Sequence, residues 1–263
     1  MDRRAAEGAL GLSIEGTRVS ELQSFEYSHD GLAMRGQLAL PAGPGPRPGV
    51  LVMHDGQGVG DFVCARARKL AAEGYAALAS DMFGDGRRFT DPGQSTPFVI
   101  ALRQDGARLR ERVAATFEAF AARPEVDAGR IGAIGFCFGG QCVLELARSG
   151  APAQGVVSLH GTLSTHALAS PGAVKAKVLA LTGARDPFAP AADIEAFQAE
   201  MQAAEADWQL TLYGRGLHGF TDPIADEARK VMAGVGYDPL LDRLSWAQTM
   251  AFLDAVVRGA ETV

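Results

Sequence analysis

Short, largely apolar runs recur along this chain: VLVM at 50–53, which is continuous, YAALAS at 75–80, IGAIGF at 131–136, GVVSLHG at 155–161 and KVLALTG at 177–183. A strand reads this way when helices cover both of its faces, as in a parallel sheet, whereas a strand with one wet face alternates. Between the runs lie stretches with helical spacing, among them DFVCARARKLAAEG at 61–74 and IEAFQAEMQAAEA at 194–206. Strand and helix in alternation, joined by right-handed crossovers, give an α/β fold with a mostly parallel sheet and helices on both faces.

FEY at 25–27 and MRGQLAL at 34–40 add an antiparallel opening pair, turned at His29-Asp30-Gly31. PAGPGPRPG at 41–49 is the loop into VLVM, WQLTLYG at 208–214 is a further strand, and DRLSWAQTMAFLDAVVRG at 242–259 is the closing helix. PFVIALRQDGARLRERVAATFEAFAA at 97–122 has amphipathic spacing and predicts one long helix. The polar segment before it, 84–96, exceeds what a βα connection needs and reads as a rim loop.

A chain of 263 residues, 47% hydrophobic and 21% charged, buries a sizeable core, and α/β folds of this length often form one unit. A single domain over 1–263 is expected, with 1–20 as a polar, flexible leader. The net charge of −6 supplies no basic field, which argues against nucleic acid or an anionic membrane as a partner. With no signal-peptide core and no membrane-spanning run, a cytoplasmic protein is expected. Cys64, Cys137 and Cys142 are an odd set without C-x-x-C spacing, which fits neither a disulfide framework nor a zinc site.

One of these cysteines stands apart. In GFCFGG, Gly135 and Gly139 bracket Cys137 as G-x-C-x-G between an apolar strand and a helical run, the layout of a nucleophile elbow with sulfur in place of the hydroxyl. At the carboxyl edge of a parallel sheet Cys137 faces the crevice where ligands bind, and the helix N-terminus beneath it favours the thiolate. The backbone N–H of Phe138 then points toward a substrate oxygen as charge develops there.

In this kind of fold the partners follow in the order nucleophile, acid, histidine. Asp186 stands at a strand-end turn in G-A-R-D-P, and His218 is the only histidine C-terminal to it. His218 is thus assigned as general base and then general acid, with Asp186 fixing its tautomer.

HDGQGVGDF at 54–62, YAALASDMFGDGR at 75–87, GFCFGG, GARDPF at 183–188 and HGFTDP at 218–223 together resemble the dienelactone hydrolases of the α/β-hydrolase fold. The resemblance implies a Cys137–His218–Asp186 triad, an oxyanion hole from the N–H groups of Phe138 and Gly56, and a carboxylate, here Asp55, that modulates the cysteine. It also exposes two departures. Asp55 stands where the family usually has glutamate, and Asp222 stands where members acting on the anionic dienelactone place an arginine. A carboxylate repels an anionic substrate, so neutral esters or lactones are expected, cleaved through an acyl-enzyme without a cofactor. The same site suits a neutral phosphotriester as the alternative substrate. A reading of another class is a redox sensor or small-molecule receptor on the same fold.

Other residues invite plainer readings. Cys142 and Cys64 fit the core. His54 and His160 end strands and are read as site lining, with Arg87 of the rim loop and Phe220 beside the histidine; two histidines and Asp55 lack the spacing of a metal site. His29 and His166 read as loop residues, Asp81 as a structural turn residue, and Trp208 and Trp246 as packing aromatics. GQGVG departs from the dinucleotide-binding spacing. Oligomeric state stays open between monomer and homodimer.

Overall fold

The computed structural model describes residues 21–228, 230 and 232–259. The polar leader therefore lies outside the described residues. The strands are β1 (Gln23–His29), β2 (Leu32–Ala39), β3 (Arg47–Met53), β4 (Ala76–Ser80), β5 (Val126–Phe136), β6 (Gly155–Leu159), β7 (Lys177–Gly183) and β8 (Trp208–Tyr213). They form one sheet in the order β1-β2-β4-β3-β5-β6-β7-β8. β1, β2 and β4 pair antiparallel, and every pairing from β4 to β8 is parallel. This is the α/β-hydrolase architecture. The opening hairpin turns on Asp30 and Gly31, both at positive φ (51° and 73°), as a two-residue turn matched to strand twist requires. His29 thus ends β1 rather than lying in a loop.

The helices that cover the sheet are α1 (Asp61–Ala72), α2 (Pro92–Gln104), α3 (Gly106–Ala121), α4 (Phe138–Arg148), α5 (Ala191–Ala203), the short α6 (Ala225–Ala228) and α7 (Pro239–Val257). Val63, Cys64 and Leu70 of α1 and Trp246, Phe252 and Leu253 of α7 pack on one face. Val113, Phe117 and Phe120 of α3, Cys142, Val143 and Leu146 of α4, and Phe197 and Met201 of α5 pack on the other. Both faces are covered, which is why the central strands carry apolar residues at successive positions.

The long helix expected over 97–122 is two helices. Asp105 adopts φ −109°, ψ 72°, and its side chain accepts from the N–H of Arg108 (3.1 Å), so it ends one helix and caps the next. The first helix also begins earlier than expected, at Pro92 with Asp91 as its cap, and takes up the end of the expected rim loop. Asp81 shapes what remains of that loop. Its carboxylate accepts from the backbone N–H groups of Arg35, Phe83, Gly84 and Gly86 at 2.7–3.0 Å.

The chain runs from β3 to β4 on one side and then returns to place β5 on the other side of β3. Strand order therefore reverses between β3 and β5, and a crevice opens beyond their carboxyl ends. Met53 of β3 pairs in register with Gly135 of β5, which puts residues 54–56 and 136–138 side by side at that crevice.

Candidate active site

Cys137 caps α4 with φ 53° and ψ −113°, a left-handed conformation that a non-glycine residue holds at a cost of about 1–3 kcal/mol. The flanking glycines make the turn sterically possible. A Cβ on Gly135 would stand 1.9 Å from the carbonyl oxygen of Gly139, and one on Gly139 would stand 2.2 Å from that of Met53. The amide of Phe138 opens α4, where N–H groups lack an intrahelical acceptor.

The structure brings the three expected side chains into line. His218 Nε2 lies 3.0 Å from Cys137 Sγ, and His218 Nδ1 lies 2.9 Å from Asp186 Oδ2. Asp186 stands just past β7, and its other oxygen accepts from the N–H of Phe188 (2.8 Å), which fixes the carboxylate. The His218 backbone is held on both sides: its N–H donates to Gly234 O (2.8 Å) and its carbonyl accepts from Gly236 N–H (3.0 Å). Burial opposes a charged imidazole here, but the negative sulfur of Cys137 and the bond to Asp186 outweigh it and raise His218 to about 10.

The residues after β3 form the opposite wall. His54 is buried, with Nδ1 2.6 Å from Asp55 O and Nε2 accepting from Met82 N–H (3.0 Å), so Nδ1 carries the proton and the ring ties the end of β3 to the end of β4. Burial holds its pKa below the ordinary value. Asp55 Oδ1 accepts from Gln57 N–H (2.7 Å), and Gln57 Nε2 donates to Asp222 Oδ2 (3.0 Å) and, at 3.4 Å, to Asp55 Oδ2. The two carboxylates thus converge on one amide. Burial and the neighbouring Asp222 push Asp55 up to about 7 against the Gln57 bonds, and burial raises Asp222 as well. Asp55, expected beside the sulfur, makes these hydrogen bonds with Gln57.

His160 is buried at the end of β6 and accepts, through Nδ1, a hydrogen bond from the Cys137 N–H (3.1 Å). Phe220 is also buried, edge-on to His160 at 5.0 Å, and backs the site rather than opening onto it. Arg87 turns to Asp85 (3.1 Å) and lies over the Phe98 ring. Phe188, the last residue of GARDPF and without a local pattern to mark it, is 37% exposed with its ring 4.6 Å from His218. On the other side Phe83 stacks on Phe138 at 5.6 Å and meets Phe89 and Phe98, so aromatic rings extend from the elbow to α2.

A cavity of about 600 Å³ lies at the C-terminal ends of α3 and α4, where Phe117, Ala121 and Pro152 line it, and no residue of the Cys137 constellation contributes. It carries none of this chemistry. Among the described residues no group of histidine, cysteine and carboxylate side chains could hold a metal ion, and no helix is long and apolar enough to cross a membrane.

A model of the dienelactone hydrolase family matches residues 34–257. The chain is 30% identical over 216 residues to a Methylorubrum extorquens protein provisionally assigned as a carboxymethylenebutenolidase, covering 78% of this chain and 74% of the relative. The solved structure of m3DLH superposes with a TM-score of 0.85 at 39% identity, over 90% of this chain and 98% of m3DLH. A dienelactone hydrolase-like promiscuous phosphotriesterase from metagenomic libraries gives a TM-score of 0.85 at 34% identity, over 92% of this chain and 99% of that one.

Proposed function

This chain belongs to the dienelactone hydrolase family, and on that premise we propose that it hydrolyses neutral carboxylic esters or lactones through Cys137, His218 and Asp186. The observation that carries the reading is the continuous contact from Cys137 Sγ through the His218 ring to Asp186, 3.0 and 2.9 Å, at a strained elbow.

His218 Nε2 takes the proton of Cys137, and the thiolate attacks the ester carbonyl carbon. The carbonyl π electrons move to oxygen, where the N–H groups of Phe138 and Gly56 receive the charge. Collapse expels the alcohol oxygen, which takes the proton from His218, and leaves a thioester on Cys137. Water then gives a proton to His218 and attacks the thioester; the second collapse releases the acid and leaves the Cys137 sulfur as thiolate beside the protonated His218. Asp186 holds Nδ1–H and stabilises the imidazolium throughout.

The preference for neutral substrates rests on Asp222, which adds a second acidic group beside Asp55 where an anion-binding member of the family would carry an arginine. Its test is kcat/KM for a matched pair of aryl esters, one neutral and one bearing a carboxylate in the acyl group. The neutral ester is expected to be the better substrate, and Asp222→Arg to shift the ratio toward the anion. A wild-type preference for the anion would overturn the assignment.

A phosphotriester is the second substrate class. It is favoured by the likeness to the metagenomic phosphotriesterase, and by the fact that a neutral P=O centre asks for the same nucleophile and oxyanion donors.

A further inference from the structure

Two non-glycine residues at positive φ face each other behind the nucleophile: Cys137 at 53° and His160 at 41°. They are joined by a hydrogen bond from the Cys137 N–H to His160 Nδ1, 3.1 Å, an amide that also reaches Leu159 O. The other ring nitrogen, Nε2, lies 2.8 Å from Thr221 Oγ1. Thr221 sits three residues beyond His218 in the same loop, and His160 and Thr221 are both buried.

Chemistry fixes the direction of each bond. An N–H can only donate, so Nδ1 is the acceptor; a neutral imidazole then carries its proton on Nε2 and donates it to Thr221. Burial first, and then the positive charge of His218 nearby, keep this ring well toward the neutral form. Each end has an independent anchor. The His160 N–H donates to Leu181 O (2.8 Å), and the Thr221 carbonyl accepts from Arg66 Nη2 (2.9 Å), which also pairs with Asp242 of α7 (2.7 Å). The His160 ring stands edge-on to His218, 5.5 Å between centroids.

We propose that His160 is a positioning residue: one rigid imidazole, bonded to the nucleophile's amide on one side and to the base-bearing loop on the other, sets the Cys137 Sγ to His218 Nε2 separation. The assignment rests on the Cys137–His218–Asp186 reading. It goes beyond that reading because the ring bonds of His160 run to the Cys137 amide and to Thr221 Oγ1. The link adds a second tie between the elbow and the 218–222 loop, beside the reacting contact of His218 Nε2 with Cys137 Sγ (3.0 Å). Small errors in such a spacing cost rate rather than binding.

Thr221→Val removes the acceptor at nearly constant shape, Thr221→Ser keeps it, and His160→Asn keeps an acceptor near Nδ1 while losing Nε2 and tolerating positive φ. The readouts are the rate of the p-nitrophenol burst from a neutral p-nitrophenyl ester, steady-state KM, and thermal midpoint. Thr221→Val and His160→Asn are expected to slow the burst roughly 10- to 100-fold with KM little changed, and Thr221→Ser to recover most of the rate. A wild-type burst rate in Thr221→Val would overturn the proposal, as would equal losses in the Val and Ser variants that track a fall in thermal midpoint. A burst in the wild type that survives Cys137→Ala would instead strike at the triad, so the two failures are distinguishable.

Discussion

His218 Nε2 sits 3.0 Å from Cys137 Sγ although the two residues are 81 positions apart, and the same ring reaches Asp186 at 2.9 Å through its other nitrogen. The fold achieves this by bringing the ends of β5 and β7 and the loop after β8 to one sheet edge. Replacing Asp186 by Asn keeps the shape but offers the His218 Nδ1 an amide that can favour the wrong tautomer. A loss in kcat of about 10⁴-fold is expected, measured on a neutral aryl ester, with the fold intact by circular dichroism.

The imidazolium of His218 also makes stability depend on pH. Its folded pKa, about 10, lies above the unfolded value of about 6.5, so the native state binds the extra proton between them. This contribution is fully present below about pH 6.5 and is lost as pH rises through about 10. Urea midpoints across that range should fall more for the wild type than for Cys137→Ala, which lacks the sulfur charge. Parallel curves for the two proteins would rule out the electrostatic coupling.

The Asp55–Asp222 pair acts over a lower range. A buried acid held up to about 7, against an unfolded value of about 4, favours the native state only while protonated. Stability should therefore decline as pH rises between those values, with Gln57 bonded to both carboxylates and Arg66 the nearby cation that tempers Asp222. In Asp222→Asn one of the two like charges is gone and Asp55 ionises with less resistance. The slope of stability against pH, from denaturation at several pH values, should flatten; an unchanged slope would show that the pair is uncoupled.

Gly135→Ala tests the elbow itself. The added methyl would meet the Gly139 carbonyl oxygen at 1.9 Å, and backbone cannot swing aside as a flexible side chain can. A destabilisation of about 3 kcal/mol in urea unfolding is expected, with loss of activity in whatever fraction remains folded. Wild-type stability in this variant would contradict the close approach of β5 and α4.

Much of this was legible in the sequence for a definite reason. Strands buried on both faces write themselves as largely apolar runs, and a nucleophile elbow needs small neighbours, so Gly135, Cys137 and Gly139 were visible before any coordinates. The order of partners then led to Asp186 and His218. The break at Asp105 was less visible because the apolar spacing continues on both sides of it; the signal was the Asp-Gly pair, which caps as readily as it interrupts. The Gln57 bridge to Asp222 spans 165 positions and His160 to Thr221 spans 61, and neither leaves a local pattern. Such links depend on how two loops meet and on which ring nitrogen carries a proton, and periodicity encodes neither.

The central claim is covalent catalysis at Cys137, and its most direct test is stopped-flow release of p-nitrophenol from a short neutral p-nitrophenyl ester by the wild type and by Cys137→Ala. The account predicts a burst equal in amplitude to the enzyme concentration, followed by steady turnover, with both absent from the variant. Release that is the same in Cys137→Ala as in the wild type, or no Cys137-dependent release from any neutral ester or phosphotriester tried, would contradict it.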